Sequence, residues 1–203
     1  MCSSDLGYQS NYSSTQSGYN IAIGHESLFY NTSTNGANIA FGYRSLFYNT
    51  SGYYNMAFGP YSMFYNQTGF GNIAIGYNSM QTATNSNYNI AIGYQSSFNL
   101  TNGVYNIAIG YNSLYGNKSG SYNIGLGYQA LLNMTASSNN LAFGQETLKS
   151  LTSRSMIGNS KVSIYNFLII LNFFWCSFSN FLTKIEHRNS VRNFHDQTHI
   201  VFN

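Results

Sequence analysis

The chain has 203 residues, of which 6% are charged, 43% hydrophobic and 17% aromatic, with 19 glycines and one proline. Ordinary globular domains carry roughly a quarter charged residues, but the apolar residues here recur in register, which excludes a disordered polar chain. The net charge of +3 does not mark a nucleic-acid binder, because residues 1–144 hold only Arg44 and Lys118 as basic groups and no basic stripe follows the aromatic register.

In chain order, the opening MCSSDL is what a common sequencing-adapter end encodes in one frame after a start codon, so residues 1–6 read as an artefact. Residues 7–158 form a repeat region. A glycine closes a recurring N-I-A-I-G phrase at Gly24, Gly42, Gly59, Gly76, Gly93, Gly110, Gly127 and Gly144, at a spacing of 18 and then six times 17. Stepping back from Gly24 reaches Gly7, which makes nine units, and a period of this length is the mark of stacked repeats.

Four places before the glycine an asparagine recurs without exception: Asn20, Asn38, Asn55, Asn72, Asn89, Asn106, Asn123 and Asn140. A large residue follows, then a tiny one, then a second large one, as in Ile107, Ala108 and Ile109. Large, small, large is period two, and it predicts a short strand with one face buried. The reading places the large residues inside, each isoleucine over that of the preceding coil, with alanine keeping one wall thin. The asparagines are expected to stack as an amide ladder along the axis.

After the glycine comes a weaker pattern of Tyr, a polar residue, Ser, then Leu or Met. Leu28, Leu46, Met63, Met80, Leu114, Leu131 and Leu148 fill the fourth place and are expected to reach the same core from the opposite wall. Ser97 breaks the rule, and Phe98 beside it is the expected substitute. The rest of each unit is turn chemistry, as in NTSG at 49–52 and NKSG at 117–120. The predicted fold is all-β: a parallel β-solenoid of about nine 17-residue coils, roughly 40 Å long at one inter-strand spacing per coil.

The phrases NIAIGYNSL, NIAIGYQSS and NIGLGYQAL, joined by N-T-x-G turns, resemble the head repeats of YadA-like trimeric autotransporter adhesins and similar repeats of phage and giant-virus tail fibres. The resemblance covers residues 7 to about 158. It implies a left-handed parallel β-roll, a homotrimer, and display on a cell surface, outside the cell or on a virion fibre. The autotransporter head unit is shorter, and the additional residues here fall around YNSLY.

Chemistry in the repeats is thin. Glu26 and Glu146 are their only carboxylates and lie many coils apart, so no acid/base pair is expected, and the chain reads as a non-enzyme with no cofactor. Tyr8, Tyr43, Tyr77, Tyr94, Tyr111 and Tyr128 share one place in the unit, with His25 standing in for Tyr in the second. Tyr43, Tyr77, Tyr94, Tyr111 and Tyr128 are the expected column for surface binding or interchain contact. Seven N-x-S/T matches begin at Asn11, Asn31, Asn49, Asn66, Asn99, Asn117 and Asn133, as a turn rich in these residues produces by chance.

The register stops after Gly158, and residues 159–203 read as a non-repeat tail; 161–203 contain no Gly, Ala or Pro, the pattern of A/T-rich DNA read out of frame. The uncharged run 162–183 has the length of a membrane span but is interrupted by Asn and Ser, which leaves membrane association open. His195 and His199, with Cys176 and His187 upstream, lack metal-motif spacing, and no metal is expected. Cys2 and Cys176 define no disulfide framework. The function read from all this is a structural and adhesive fibre segment, with a host receptor or glycan as partner. The alternative is a flat-faced solenoid that binds ice or carbohydrate.

Overall fold

The computed structural model describes residues 4–14, 18–33 and 36–150. The expectations for the tail, including the apolar run and the histidine group, lie outside the described residues. Nine three-residue strands follow one another: β1 (Ser4–Leu6), β2 (Ile21–Ile23), β3 (Ile39–Phe41), β4 (Met56–Phe58), β5 (Ile73–Ile75), β6 (Ile90–Ile92), β7 (Ile107–Ile109), β8 (Ile124–Leu126) and β9 (Leu141–Phe143). They form one parallel sheet in chain order, each strand hydrogen-bonded to the next. Like stands over like, so that Ile73, Ile90, Ile107 and Ile124 share one register. The repeat is therefore a parallel β-solenoid, as the 17-residue period predicts. Ser4, Asp5 and Leu6 pair with β2 in the same register.

The side chains correct the expected orientation. Along each strand it is the small middle residue that is buried, and the flanking large ones are exposed or half-exposed. Ala22, Ala40, Ala57, Ala74, Ala91, Ala108 and Ala142 lie fully inside. The core is filled from the opposite corner by Leu28, Leu46, Met63, Met80, Leu114 and Leu131. Period two fixes which residues share a face but not which face is inward. Here a coil of 17 residues encloses so little width that one wall admits only alanine opposite leucine.

Tight corners explain how so short a coil closes. In the seventh coil Asn112, Leu114 and Tyr122 all have positive φ, at 52°, 53° and 57°, and the same three places are left-handed in other coils. Such conformations are uncommon for residues with a Cβ and persist only where neighbours over-determine them. The neighbouring coils do this. The Asn112, Leu114 and Tyr122 N–H groups donate to the Tyr94, Ala130 and Val104 carbonyls at 2.9–3.0 Å.

Ser97 shows how the stack absorbs a missing core residue. Phe98, the expected substitute, instead stacks on Tyr115 at 5.1 Å, half-buried on the outside. The volume is supplied by Leu100, fully buried at a place where four other coils carry Asn31, Asn49, Asn66 and Asn117. Ser97 and Leu100 are thus an exchanged pair within one coil. Ser97→Leu alone overfills the core, at about 1–3 kcal/mol, and Leu100→Asn alone opens a cavity, at about 2–4 kcal/mol. The double variant restores the common pattern and is expected to recover most of both losses. A double-mutant cycle by denaturant unfolding checks this, and simple additivity would sink the volume exchange.

Candidate functional surfaces: amide ladders, aromatic columns and an open sheet face

The asparagine ladder forms as the spacing predicts. Each side-chain amide from Asn38 to Asn140 donates to the Oδ1 of the asparagine one coil earlier, at 2.8–3.2 Å. The same Oδ1 accepts the next coil's backbone N–H, as Asn89 Oδ1 does from Asn106 at 2.8 Å. The second amide proton reaches a corner carbonyl, for instance Asn106 Nδ2 to Gly120 O at 2.8 Å. Asn20 through Asn123 are buried. Their role is to satisfy the interior of the coil, since a buried amide left unpaired costs far more than a paired one contributes.

A second ladder escaped the sequence reading. Asn66 Nδ2 donates to Asn49 Oδ1 at 2.7 Å, and Asn49 Nδ2 to Asn31 Oδ1 at 3.1 Å. Each also closes its own corner, as Asn117 does with the Gly120 carbonyl at 3.0 Å. Ala83 and Leu100 interrupt this column, and Asn66 Oδ1 is left without a partner. The N-x-x-G spacing at 49–52, 66–69 and 117–120 was the available signal. It also bears on the glycosylation matches: Asn31, Asn49, Asn66 and Asn117 are wholly buried, so in the folded chain they present no acceptor amide.

The tyrosine column is built over four successive coils. Tyr77, Tyr94, Tyr111 and Tyr128 stack at 5.4, 5.0 and 5.3 Å with nearly parallel rings. Tyr43 does not join them face to face, because Pro60 takes the intervening place and Tyr61 bridges it edge-on. His25 lies between Tyr8 and Tyr43, its ring centre 5.2 and 5.4 Å from theirs. A further column, also missed, sits five places before the glycine, where Tyr88, Tyr105 and Tyr122 stack at 5.2 Å.

Charge is confined to few places. Arg44 pairs with Glu26 on the neighbouring coil, and this contact raises the guanidinium above its ordinary pKa. Arg44 also lies 5.1 Å from the centre of the Tyr43 ring and 5.4 Å from that of Phe47. Desolvation, then the Tyr61 hydroxyl, pushes the Tyr43 phenol upward. Lys149 pairs with Glu146 at 3.1 Å. Among the described residues no three His, Cys, Asp or Glu side chains gather as a metal site, and no helix is long and apolar enough to cross a membrane.

The outer face of the sheet is a uniform surface. Two columns of large side chains run along it, and Phe41, Phe58, Ile75, Ile109 and Phe143 are among the exposed members. No strand from β2 to β9 carries a charge. These features define a β-solenoid repeat protein with a continuous apolar sheet face. Comparison with family models, curated proteins and solved structures finds no match.

Proposed function

We propose that this chain is a segment of a structural attachment fibre, of the YadA-like head or tail-fibre kind, in which three copies join through their sheet faces and present their other sides to a host surface. The observation that carries the reading is the outward isoleucine and phenylalanine face. Eight steps of about 4.8 Å give it a length near 38 Å. With the flanking tyrosines, about six residue steps, its width is at most about 20 Å, so its area approaches about 800 Å², what one partner contributes to a standard interface and here divided between two neighbours. Monomers rarely leave so large an apolar patch open. The N-I-A-I-G resemblance supports three copies and display on a cell or virion surface, where a stiff multivalent rod multiplies weak contacts.

The test is solution mass before and after placing charge on that face. Ile92→Glu with Ile109→Glu should leave the circular dichroism of the coil intact while converting a trimer to monomers. A wild-type chain that stays monomeric at micromolar concentration would sink the assembly. Binding to a panel of glycans and host-surface extracts tests attachment separately.

A further inference from the structure

The buried corner asparagines constrain what can be done to the chain before it folds. Asn31-Thr32-Ser33, Asn49-Thr50-Ser51, Asn66-Gln67-Thr68 and Asn117-Lys118-Ser119 are acceptor tripeptides for asparagine-linked glycans, and in each of them the acceptor is fully buried. A glycan is attached at Nδ2, and that atom is already committed. Asn49 Nδ2 donates to Asn31 Oδ1 at 3.1 Å and to Gly52 O at 2.9 Å, while Asn66 Nδ2 donates to Asn49 Oδ1 at 2.7 Å and to Gly69 O at 3.0 Å. Both protons are in use, so a sugar in place of one removes a buried bond. Nor is there room for it: even a Cβ added at Gly52 would collide with Asn66 Nδ2 and Asn49 Oδ1.

Two other tripeptides give the contrast. In the sixth and eighth coils Leu100 and Met134 take the buried place, and the acceptor stands one residue earlier, at Asn99 and Asn133. Asn99 is half-buried and Asn133 exposed, its Nδ2 lying 3.5 Å from Ser150 Oγ at the surface. Glycans on these two can point into water. Transfer to a nascent chain reads the tripeptide before any fold exists, so it treats all six acceptors alike. The coil does not.

We infer that this coil forms out of reach of asparagine-linked glycan transfer, and that transfer to Asn31, Asn49, Asn66 or Asn117 blocks the fold. In that transfer the anomeric carbon of a carrier-linked glycan bonds to Nδ2, the carrier phosphate leaves and one amide proton is lost. One modified coil is enough, because in a quasi-one-dimensional stack the loss of one interface uncouples both sides. The inference stands on the buried asparagines alone and goes beyond the attachment reading by restricting the route to the surface. Such a fibre is built in a cytosol, or exported by a cell without this transfer, and is not passed unfolded through a glycosylating secretory pathway.

The experiment expresses the full chain behind a cleavable signal peptide in cells with a glycosylating secretory pathway and, without that peptide, in a bacterial cytoplasm. Ser33→Ala, Ser51→Ala, Thr68→Val and Ser119→Ala together remove the four tripeptides and keep every asparagine. Ser33 Oγ has no partner, Ser51 and Ser119 are exposed, and Thr68 gives up one exposed bond to Asn85 Oδ1. The variant made in the cytoplasm should therefore keep the parental melting midpoint. In the secretory pathway the parental chain is expected to carry glycans on one or more of the four asparagines, by peptide mass, and to be retained in a protease-sensitive form. The variant should be secreted as a folded coil with glycan at Asn99 or Asn133, in a yield roughly tenfold or more above the parent. An inhibitor of lipid-linked glycan synthesis should rescue the parent, which keeps the test decisive if the variant folds poorly. Secretion of coiled parental chain overturns the inference, whether the four sites are occupied or empty. Retention that neither the variant nor the inhibitor relieves overturns it as well, and both results leave the attachment reading to its own measurements.

Discussion

Gly110→Ala is expected to cost roughly 3–5 kcal/mol, among the largest losses any single methyl could cause in this chain. Gly110 has φ of +130°, in territory that only glycine occupies comfortably, and an added Cβ would lie 2.5 Å from the Gly127 carbonyl oxygen and 2.7 Å from its carbon. Neither obstacle can move, because the obstructing atoms are the backbone of the next coil. The substitution breaks the stack in the middle, and in a quasi-one-dimensional protein loss of one interface uncouples both sides. Denaturant unfolding should show the lower stability together with a broadened or split transition. Gly71 is the internal control. Its φ is +67°, and other coils hold Ala37 and Asn139 at the same place with φ of 57° and 61°. An added Cβ there would lie 2.9 Å from the Tyr88 ring, a side chain that can swing outward, so Gly71→Asn should cost less than about 2 kcal/mol. If Gly110→Ala is equally mild, the stacked-glycine corner is not what closes the coil.

Asn89→Asp should be nearly as damaging at neutral pH and should recover in acid. The Asn89 amide donates to Asn72 Oδ1 at 3.1 Å and to Gly103 O at 2.9 Å, so a carboxylate there would face two acceptors in a buried position. Both burial and those acceptors disfavour the charged form, which raises the folded-state pKa above the unfolded value of about 3.9. With the folded pKa raised, the variant is most stable below the unfolded value. It loses stability as pH climbs from there through the folded value. At pH 7 the deficit is expected to exceed about 3 kcal/mol, as for other uncompensated buried charges. Melting midpoints of Asn89→Asp and Asn89→Ala, followed from pH 3 to 8, separate the two effects. The alanine variant leaves the Asn106 donors unmatched and should show a loss of about 1–3 kcal/mol that does not vary with pH. A flat profile for the aspartate variant would mean that the ladder is open to water.

Period, strand placement and the first amide ladder were legible in the residues because each rests on strict spacing, and spacing survives translation into a stack. The direction of the strand face was not. Ile107, Ala108 and Ile109 alternate identically whether the isoleucines point in or out, and what decides it is the width left between the wall of β7 and Leu114 opposite. That width is a property of the closed coil. The second ladder was visible only as N-x-S/T and N-x-x-G matches, whose composition is that of any polar turn, and nothing local says that Asn49 and Asn66 point inward. The Ser97–Leu100 exchange was hidden for a related reason: Phe98 was the adjacent large residue, but the residue with a path to the core lay three places on. Among the candidate surfaces, Tyr94, Tyr111 and Tyr128 were found by register. Tyr88, Tyr105 and Tyr122 were equally periodic but sat before the phrase that drew attention.

The amide ladder has one more consequence. From Asn38 to Asn140 each side-chain amide donates to the oxygen of the asparagine one coil earlier, so the amide-to-amide links all run in one sense along the stack. The stack therefore has a direction that its net charge does not reveal. Where the ladder starts, the Asn20 nitrogen has no acceptor among the described residues. A ladder of this kind continues from one rod into another only when both run in the same sense, head to tail.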